Sequence, residues 1–196
     1  MQTTLLQAVN SVLSNVGQAP ITSLDTANPI AALSQGVIQE VTQKVQAEGW
    51  SWNSEYEYPV KPDNDGYIYI PDNVITFDPN PYETIDPIVR SGRLYDRANH
   101  TFEFDKEKTY LFDVVWSLDF EDMPEPAKAY VVSRAANIYA YRAVGATDVA
   151  KYSQAEEAMT RAALIDYECQ QTDPNIFQAP VGRSRGFSPF QTIYRY

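Results

Sequence analysis

The chain has one cysteine and one histidine among 196 residues. A single cysteine excludes an internal disulfide and any zinc site built on several cysteines. A single histidine excludes a histidine-rich metal centre. No run of about 18 apolar residues occurs, so no membrane-spanning helix is expected. The N-terminus lacks the basic flank and apolar centre of a signal peptide. Bases are scarce: 15 Lys and Arg stand against 26 Asp and Glu, a formal net charge of −11. That balance opposes non-specific nucleic-acid binding, which neutralises phosphates with surplus cations. No Walker loop is present.

What is present is a globular composition, 44% hydrophobic and 21% charged. Four stretches carry helical periodicity. The first runs from about Thr3 to Val16, with Leu5, Leu6, Val9, Val12, Leu13 and Val16 on one face and Gly17 at its end. Asn28 and Pro29 punctuate the start of the second, a capping side chain followed by a proline at the first helical position. Its apolar face is Ile30, Leu33, Val37, Ile38, Val41 and Val45, and its polar face is Gln39, Glu40, Gln43, Lys44 and Gln46. The third helix is expected from Pro124 to Val144. The fourth follows a short loop, from Val149 to Cys169, as an antiparallel neighbour of the third. Both are rich in alanine, which permits close approach, with tyrosines supplying bulk between them.

Residues 54–122 change to a period of two, bounded by Pro, Asn, Asp and Gly. Candidate strands are Tyr56–Val60, Tyr67–Ile70, Val74–Phe77, Ile88–Arg90, Arg93–Asp96, Thr101–Phe104 and Tyr110–Leu118. Ser91-Gly92 reads as a hairpin turn and Asn99-His100 as a second turn. Prolines 59, 62, 71, 79, 81 and 87 suit short edge strands and ordered loops. The fold expectation is therefore α+β: a four-helix bundle (residues 1–53 and 123–171), a β-rich insertion between helices two and three (54–122), and an extended C-terminal arm (172–196).

Charge is uneven along this plan. The insertion holds 16 acids and 6 bases, a net of −10, whereas the arm holds 1 acid and 3 bases, a net of +2. The arm has no period, yet it carries aromatics that need a surface to dock on. Its candidate interface residues are Phe177, Arg183, Arg185, Phe187, Phe190, Tyr194, Arg195 and Tyr196. Trp50 and Trp52, directly after helix two, are candidates for packing a junction between modules.

Signals for chemistry are weak. His100 falls in a turn, away from any positioned partner. Asp63-Asn64-Asp65-Gly66 resembles half of a calcium loop, but Lys61 stands where the first acid belongs and Asp72 where a glutamate belongs, so a turn explains it better. The segment Gly182–Gly186 is not followed by a helix and makes a poor phosphate cradle. Carboxylate pairs such as Glu55 with Glu57, Glu121 with Asp122, and Glu156 with Glu157 are expected by chance in so acidic a chain. Cys169, without a base nearby, reads as a small packing residue. No catalytic residue, cofactor or metal is assigned.

Several segments resemble tail tubular protein A, the adaptor family of short-tailed phages. Ala8-Val9-Asn10 with Leu13, Gly17, Pro20 and Leu24 is similar to the family's opening helix and turn. Gly49-Trp50-Ser51-Trp52-Asn53 is similar to the junction that ends its second helix. Leu94-Tyr95-Asp96-Arg97 resembles its hairpin, Glu121-Asp122-Met123-Pro124-Glu125 the lead-in to its third helix, and Gly145-Ala146 the turn before the fourth. The likeness spans roughly residues 5–170, and the arm matches least. The resemblance implies a virion protein of the tail: a homo-oligomeric ring of twelve copies below the portal protein, joined to the tail nozzle protein (tail tubular protein B). DNA passes through its lumen without specific binding, and no membrane is involved. An acidic wall fits that passage, because like charge keeps DNA from adhering. The rivals are another head-completion connector, a polysaccharide-degrading tail enzyme, and a soluble cellular binding module.

Overall fold

The computed structural model describes residues 2–25, 28–80, 83, 85–144 and 150–172. Its elements in chain order are α1 (Leu5–Asn15), α2 (Pro29–Gln46), β1 (Ser54–Val60), β2 (Val74–Pro79), β3 (Pro87–Arg90), β4 (Arg93–Asp96), β5 (Tyr110–Trp116), a 3-10 turn (Phe120–Asp122), α3 (Glu125–Val144) and α4 (Ala150–Thr172). The fold is mixed helix and sheet, and every strand falls between α2 and α3 in the chain.

The first two helices begin where their caps dictate. Thr4 and Gln7 form a reciprocal capping box on α1, a Thr-x-x-Gln signal at the sequence level. The C-terminus of α1 closes in a Schellman motif. The Gln18 N–H reaches the Leu13 carbonyl and the Gly17 N–H reaches that of Ser14, with Gly17 at φ 71°. The first turn of α1 has no acid of its own. Carboxylates from the α3 lead-in serve instead. Glu125 accepts from the Thr3 N–H at 2.8 Å and the Thr3 hydroxyl at 2.7 Å, and Glu121 accepts from the Leu5 N–H at 3.2 Å. Negative charge there also complements the helix dipole. The Thr3 bonds hold the Glu125 carboxyl below its ordinary range.

Asn28 caps α2 as expected, its side chain accepting from the Ile30 N–H, with Pro29 at the first position. The expected apolar face is corrected at both ends. Ile30 and Leu33 are 43% and 46% exposed, while Ser34, Thr42 and Gln46 are buried. The buried stripe is therefore rotated toward Ala31, Ser34, Val37, Ile38, Val41, Thr42 and Val45. Ala8, Val9, Val12 and Leu13 of α1 join it with Met123, Ala127, Tyr130, Val131, Ala135 and Tyr139 in one core.

β5 lies between β1 and β2 in an antiparallel sheet, and β3 pairs with β4 as a hairpin. Tyr110, Phe112 and Val114 alternate into a second core with Ile68, Leu94 and Phe104. Phe77 stacks on Phe112 at 4.2 Å between ring centres. The central strand has no proline, and Pro59 and Pro79 occupy the two edges. Ser91 and Gly92 both take positive φ, 53° and 71°, as a two-residue hairpin with right-handed strand twist requires. Residues 97–100 make the second turn, closed by a bridge between Asp96 and Thr101.

Two expected strands are absent. Tyr67–Ile70 and Thr101–Phe104 each make only an isolated bridge, through Tyr69 and Thr101. Their alternation is real, since Ile68 and Phe104 enter the core. Gly66 and Pro71 leave the first too short a run for a ladder.

Candidate functional site: the tryptophan junction and the outer face of α4

The turn after α2 is built around Asn53, which is 2% exposed. Its side-chain oxygen accepts from the Trp50 N–H at 2.8 Å. Its amide donates to the Gln46 carbonyl at 3.0 Å and the Trp116 carbonyl at 2.9 Å. The Asn53 carbonyl accepts from the Trp116 N–H at 2.8 Å. One side chain thus ties the end of α2 to the end of β5. Gln46, seven residues earlier, does the same. Its amide brackets Leu118, donating to the carbonyl at 2.9 Å and accepting from the N–H at 2.7 Å. Gln46 is fully buried, a correction to its expected place on the polar face. Periodicity marks Gln46 as polar but is silent on the strand exit that needs an amide.

Trp50 lies in the helical core, its indole N–H donating to the Val45 carbonyl at 2.7 Å. The Arg161 guanidinium of α4 stands 4.9 Å from its ring and 5.1 Å from that of Tyr130. Trp52 is half-buried against the same core. It also lines a cavity of about 440 Å³ with Ser51, Asn53, Glu55, Asn73 and Trp116. The indole N–H groups of Trp52 and Trp116 are out of water and have no hydrogen-bond partner. Glu168, near the end of α4, closes one side of this region. It accepts from the Ser51 N–H at 2.8 Å and the Ser51 hydroxyl at 2.9 Å. Neither Trp116 nor Glu168 is marked by any sequence motif; only tertiary closure brings them to Trp52.

α4 meets the rest of the chain largely through polar groups. Thr160 bonds Ser133 at 2.6 Å, Glu157 accepts from Asn137 at 2.6 Å, and Arg161 pairs with Glu48. These contacts run in opposite directions along α3 and α4, so the two helices are antiparallel. Leu164 is the one buried side chain of α4 among the described residues. The expected alanine packing on this helix is corrected. Ala155, Ala158, Ala162 and Ala163 are exposed, with Met159 at 73% and Ile165 at 44%. At helical spacing they form a stripe opposite Glu157, Thr160, Arg161 and Leu164. Cys169 is exposed as well, not packed.

The acidic segment keeps most of its carboxylates at the surface, including Glu55, Asp72, Glu103, Asp105, Glu107 and Asp119. Others are tied down. Asp63 accepts from the Asp65 and Tyr67 N–H groups, which makes the stretch a turn, as expected. Burial pushes the Asp96 carboxyl up, but bonds from Asn99 and the Ala98 N–H outweigh it and the net shift is downward. Glu83 behaves likewise: burial raises it, and Lys108 with the Leu111 N–H brings it below its ordinary value. His100 sits exposed in its turn at φ 55°. The arm residues Phe177, Arg183, Arg185, Phe187, Phe190, Tyr194, Arg195 and Tyr196 lie outside the described residues, as do Gly145-Ala146.

Among the described residues no group of three or more His, Cys, Asp or Glu converges in a metal-holding arrangement, and no helix is long and apolar enough to cross a membrane. The chain matches the family described as Tail tubular protein over residues 6–174. It is 30% identical to tail tubular protein A of Klebsiella phage KP34 over 164 residues, which cover 83% of this chain and 86% of that relative.

Proposed function

The chain belongs to the tail tubular protein family, structural components of the bacteriophage tail, and from that premise we propose that it is the head-to-tail adaptor. Copies assemble into a ring, twelve by family resemblance, that joins the portal to the nozzle protein and lets DNA pass through its lumen. The helices form its bundle, the acidic 54–122 segment a module set into it, and the arm a contact to a neighbouring copy or the portal. The observation that carries assembly is the inverted polarity of α4. Its polar stripe faces inward, and Ala155, Ala158, Met159, Ala162 and Ile165 face out. Among the described residues nothing covers this stripe, which suits a contact with another copy, and its small residues allow close approach. The surface carboxylates of 54–122 suit a conduit wall that repels DNA phosphate.

The test is to mix purified protein with portal rings and image the product by electron microscopy. A continuous ring of added density under the portal is the expected result, and its symmetry gives the copy number. Portal rings that stay bare at salt concentrations where they remain intact would overturn the adaptor reading. Deletion of the arm is expected to leave the monomer folded and to lower the yield of assembled rings. An unchanged yield removes the arm from the assembly contact.

A further inference from the structure

The β3–β4 hairpin carries a charge arrangement that nothing within the described chain answers. Its register sets Arg90 directly opposite Arg93, on either side of the Ser91-Gly92 turn. Like charges so placed destabilise an antiparallel pair. The surrounding segment holds 16 acids. Among the described residues neither arginine forms an ion pair, whereas Arg97 pairs with Asp86 and Lys108 with Glu83. Aromatic rings hold the two guanidiniums instead. Arg90 stands 4.1 Å from the Tyr95 ring centre, and Arg93 stands 4.9 Å from that of Tyr67 and 5.0 Å from that of Phe102. Stacking orders a guanidinium without using its N–H donors, which remain suited to a carboxylate. Beside the pair, Tyr69 is 59% and Val89 52% exposed, and Tyr69 bridges to Arg93. Arginine with exposed aromatic and apolar side chains is the composition of a protein contact. Two cations are too few for a phosphate footprint.

The complementary surface is on the same chain. Loops 63–66 and 103–107 meet where the Phe104 N–H reaches the Gly66 carbonyl and the Lys106 ammonium reaches that of Asn64. Asp65, Glu103 and Glu107 are exposed there, and none forms an ion pair among the described residues. We infer that the β3–β4 tip docks on these loops of a second copy, with Arg90 and Arg93 donating to its carboxylates. The two surfaces differ, so the contact is head-to-tail and repeats from copy to copy, as a closed ring requires. The inference rests on the ring reading above and names one contact between neighbours in that ring. Asp65, Glu103 and Glu107 then belong to the joint between copies and not to the wall that faces DNA.

Disulfide trapping reads this contact with no portal or nozzle protein present. Two full-length chains in a Cys169→Ser background are mixed and oxidised mildly, one with Ser91→Cys at the tip and the other with Asn64→Cys beside Asp65. One carries a small tag, so that the mixed dimer migrates apart. It is expected to form on the order of tenfold faster than with a Ser23→Cys partner, exposed on the connection between α1 and α2. At about 1 M salt, where the screening length is about 3 Å, the difference disappears. Equal rates for the Asn64→Cys and Ser23→Cys partners at low salt would overturn the inference. Arg90→Glu with Arg93→Glu on the tip chain is expected to bring the rate down to that of the control. Asp65→Lys, Glu103→Lys and Glu107→Lys on the partner then restore it, which a misfolded hairpin would not allow. A rate that stays low after both reversals gives the arginines another partner and overturns the inference. So does retention of a duplex oligonucleotide by the parent chain but not by the Arg90→Glu, Arg93→Glu chain, which assigns the tip to phosphate. A trapped dimer with a bare portal in the ring assay removes the adaptor role alone. Rings under the portal with no trapped dimer remove this contact alone.

Discussion

Replacing Asn53 with alanine is expected to unlock the junction between helices and sheet. The substitution deletes three hydrogen bonds, to the Trp50 N–H, the Gln46 carbonyl and the Trp116 carbonyl. The Gln46 carbonyl keeps a partner in the Gly49 N–H, so its loss is small. The Trp50 N–H is buried and has nowhere else to turn. At about 1 kcal/mol for each net bond, with about 1–3 for a stranded buried donor, the total is roughly 3 kcal/mol. For a chain of this size that is a fall of about 6–12 °C in melting temperature. Urea unfolding followed by tryptophan emission checks it: the midpoint moves down while the slope stays constant. Asn99→Ala, which removes one bond from an exposed turn, serves as the reference and costs about 1 kcal/mol or less. An Asn53→Ala penalty no larger than that of Asn99→Ala refutes the assignment of Asn53 as the tie between the two parts.

Gln46→Leu keeps the volume but strips Leu118 of both partners, for an expected loss of about 2 kcal/mol in the same assay. Gly66→Ala forces a side chain onto φ 87° and sets its Cβ 3.2 Å from the Phe104 carbonyl oxygen, for a cost of about 2 kcal/mol read by urea midpoint; a neutral result refutes the close approach. Arg142 foremost, then Lys44, holds the exposed Glu40 carboxyl down to about 2 from 4.5. Because the folded value lies below the unfolded one, its contribution is full above about pH 4.5 and fades as pH falls toward 2. Glu40→Gln should therefore melt below the parent chain at pH 7 and converge with it near pH 2; a gap independent of pH contradicts this. Met159→Glu, on the outer stripe of α4, is expected to leave the monomer's melting temperature unchanged and to abolish rings in electron micrographs, while intact rings would move the contact elsewhere.

The local grammar of this chain was legible where one residue type satisfies one backbone need. Asn28 and Pro29 announce α2, and Ser91-Gly92 announces the hairpin, because capping and positive φ are properties of the residues themselves. Periodicity placed β5 and the inner face of α1 for the same reason. It misplaced Ile30 and Leu33 because the packed face of that helix end is set by small side chains, Ala31 and Ser34, which periodicity of large apolar residues does not register. It misread the alanines of α4 because small apolar side chains do not distinguish an inward face from an outward one; the polar side of α4 turns in only because Ser133, Asn137 and Ser51 wait there. Of the candidate site, Trp50 and Trp52 were visible as large side chains at a turn. Their partners Trp116 and Glu168 are distant in sequence, and no local pattern predicts such closures.

The clasp of Glu121 and Glu125 on the start of α1 has a bearing on synthesis. Thr3 and Glu125 are separated by 122 positions, and Gln18 meets the Tyr139 hydroxyl across 121. Every partner in the two sheets, by contrast, is made within residues 54–116. A ribosome delivering about 5–20 residues per second therefore releases α1 and α2 roughly 5–20 s before α3 arrives to cover them. The strands finish first, and the first-made helices finish last. During that interval Val9, Val12, Leu13 and Val41 present their apolar stripes to the cytosol, a binding site for chaperones and a target for proteases. Chains broken off before residue 125 never leave that state, so a nascent-chain series cut on either side of α3 would show protease resistance of the N-terminus appearing in one step.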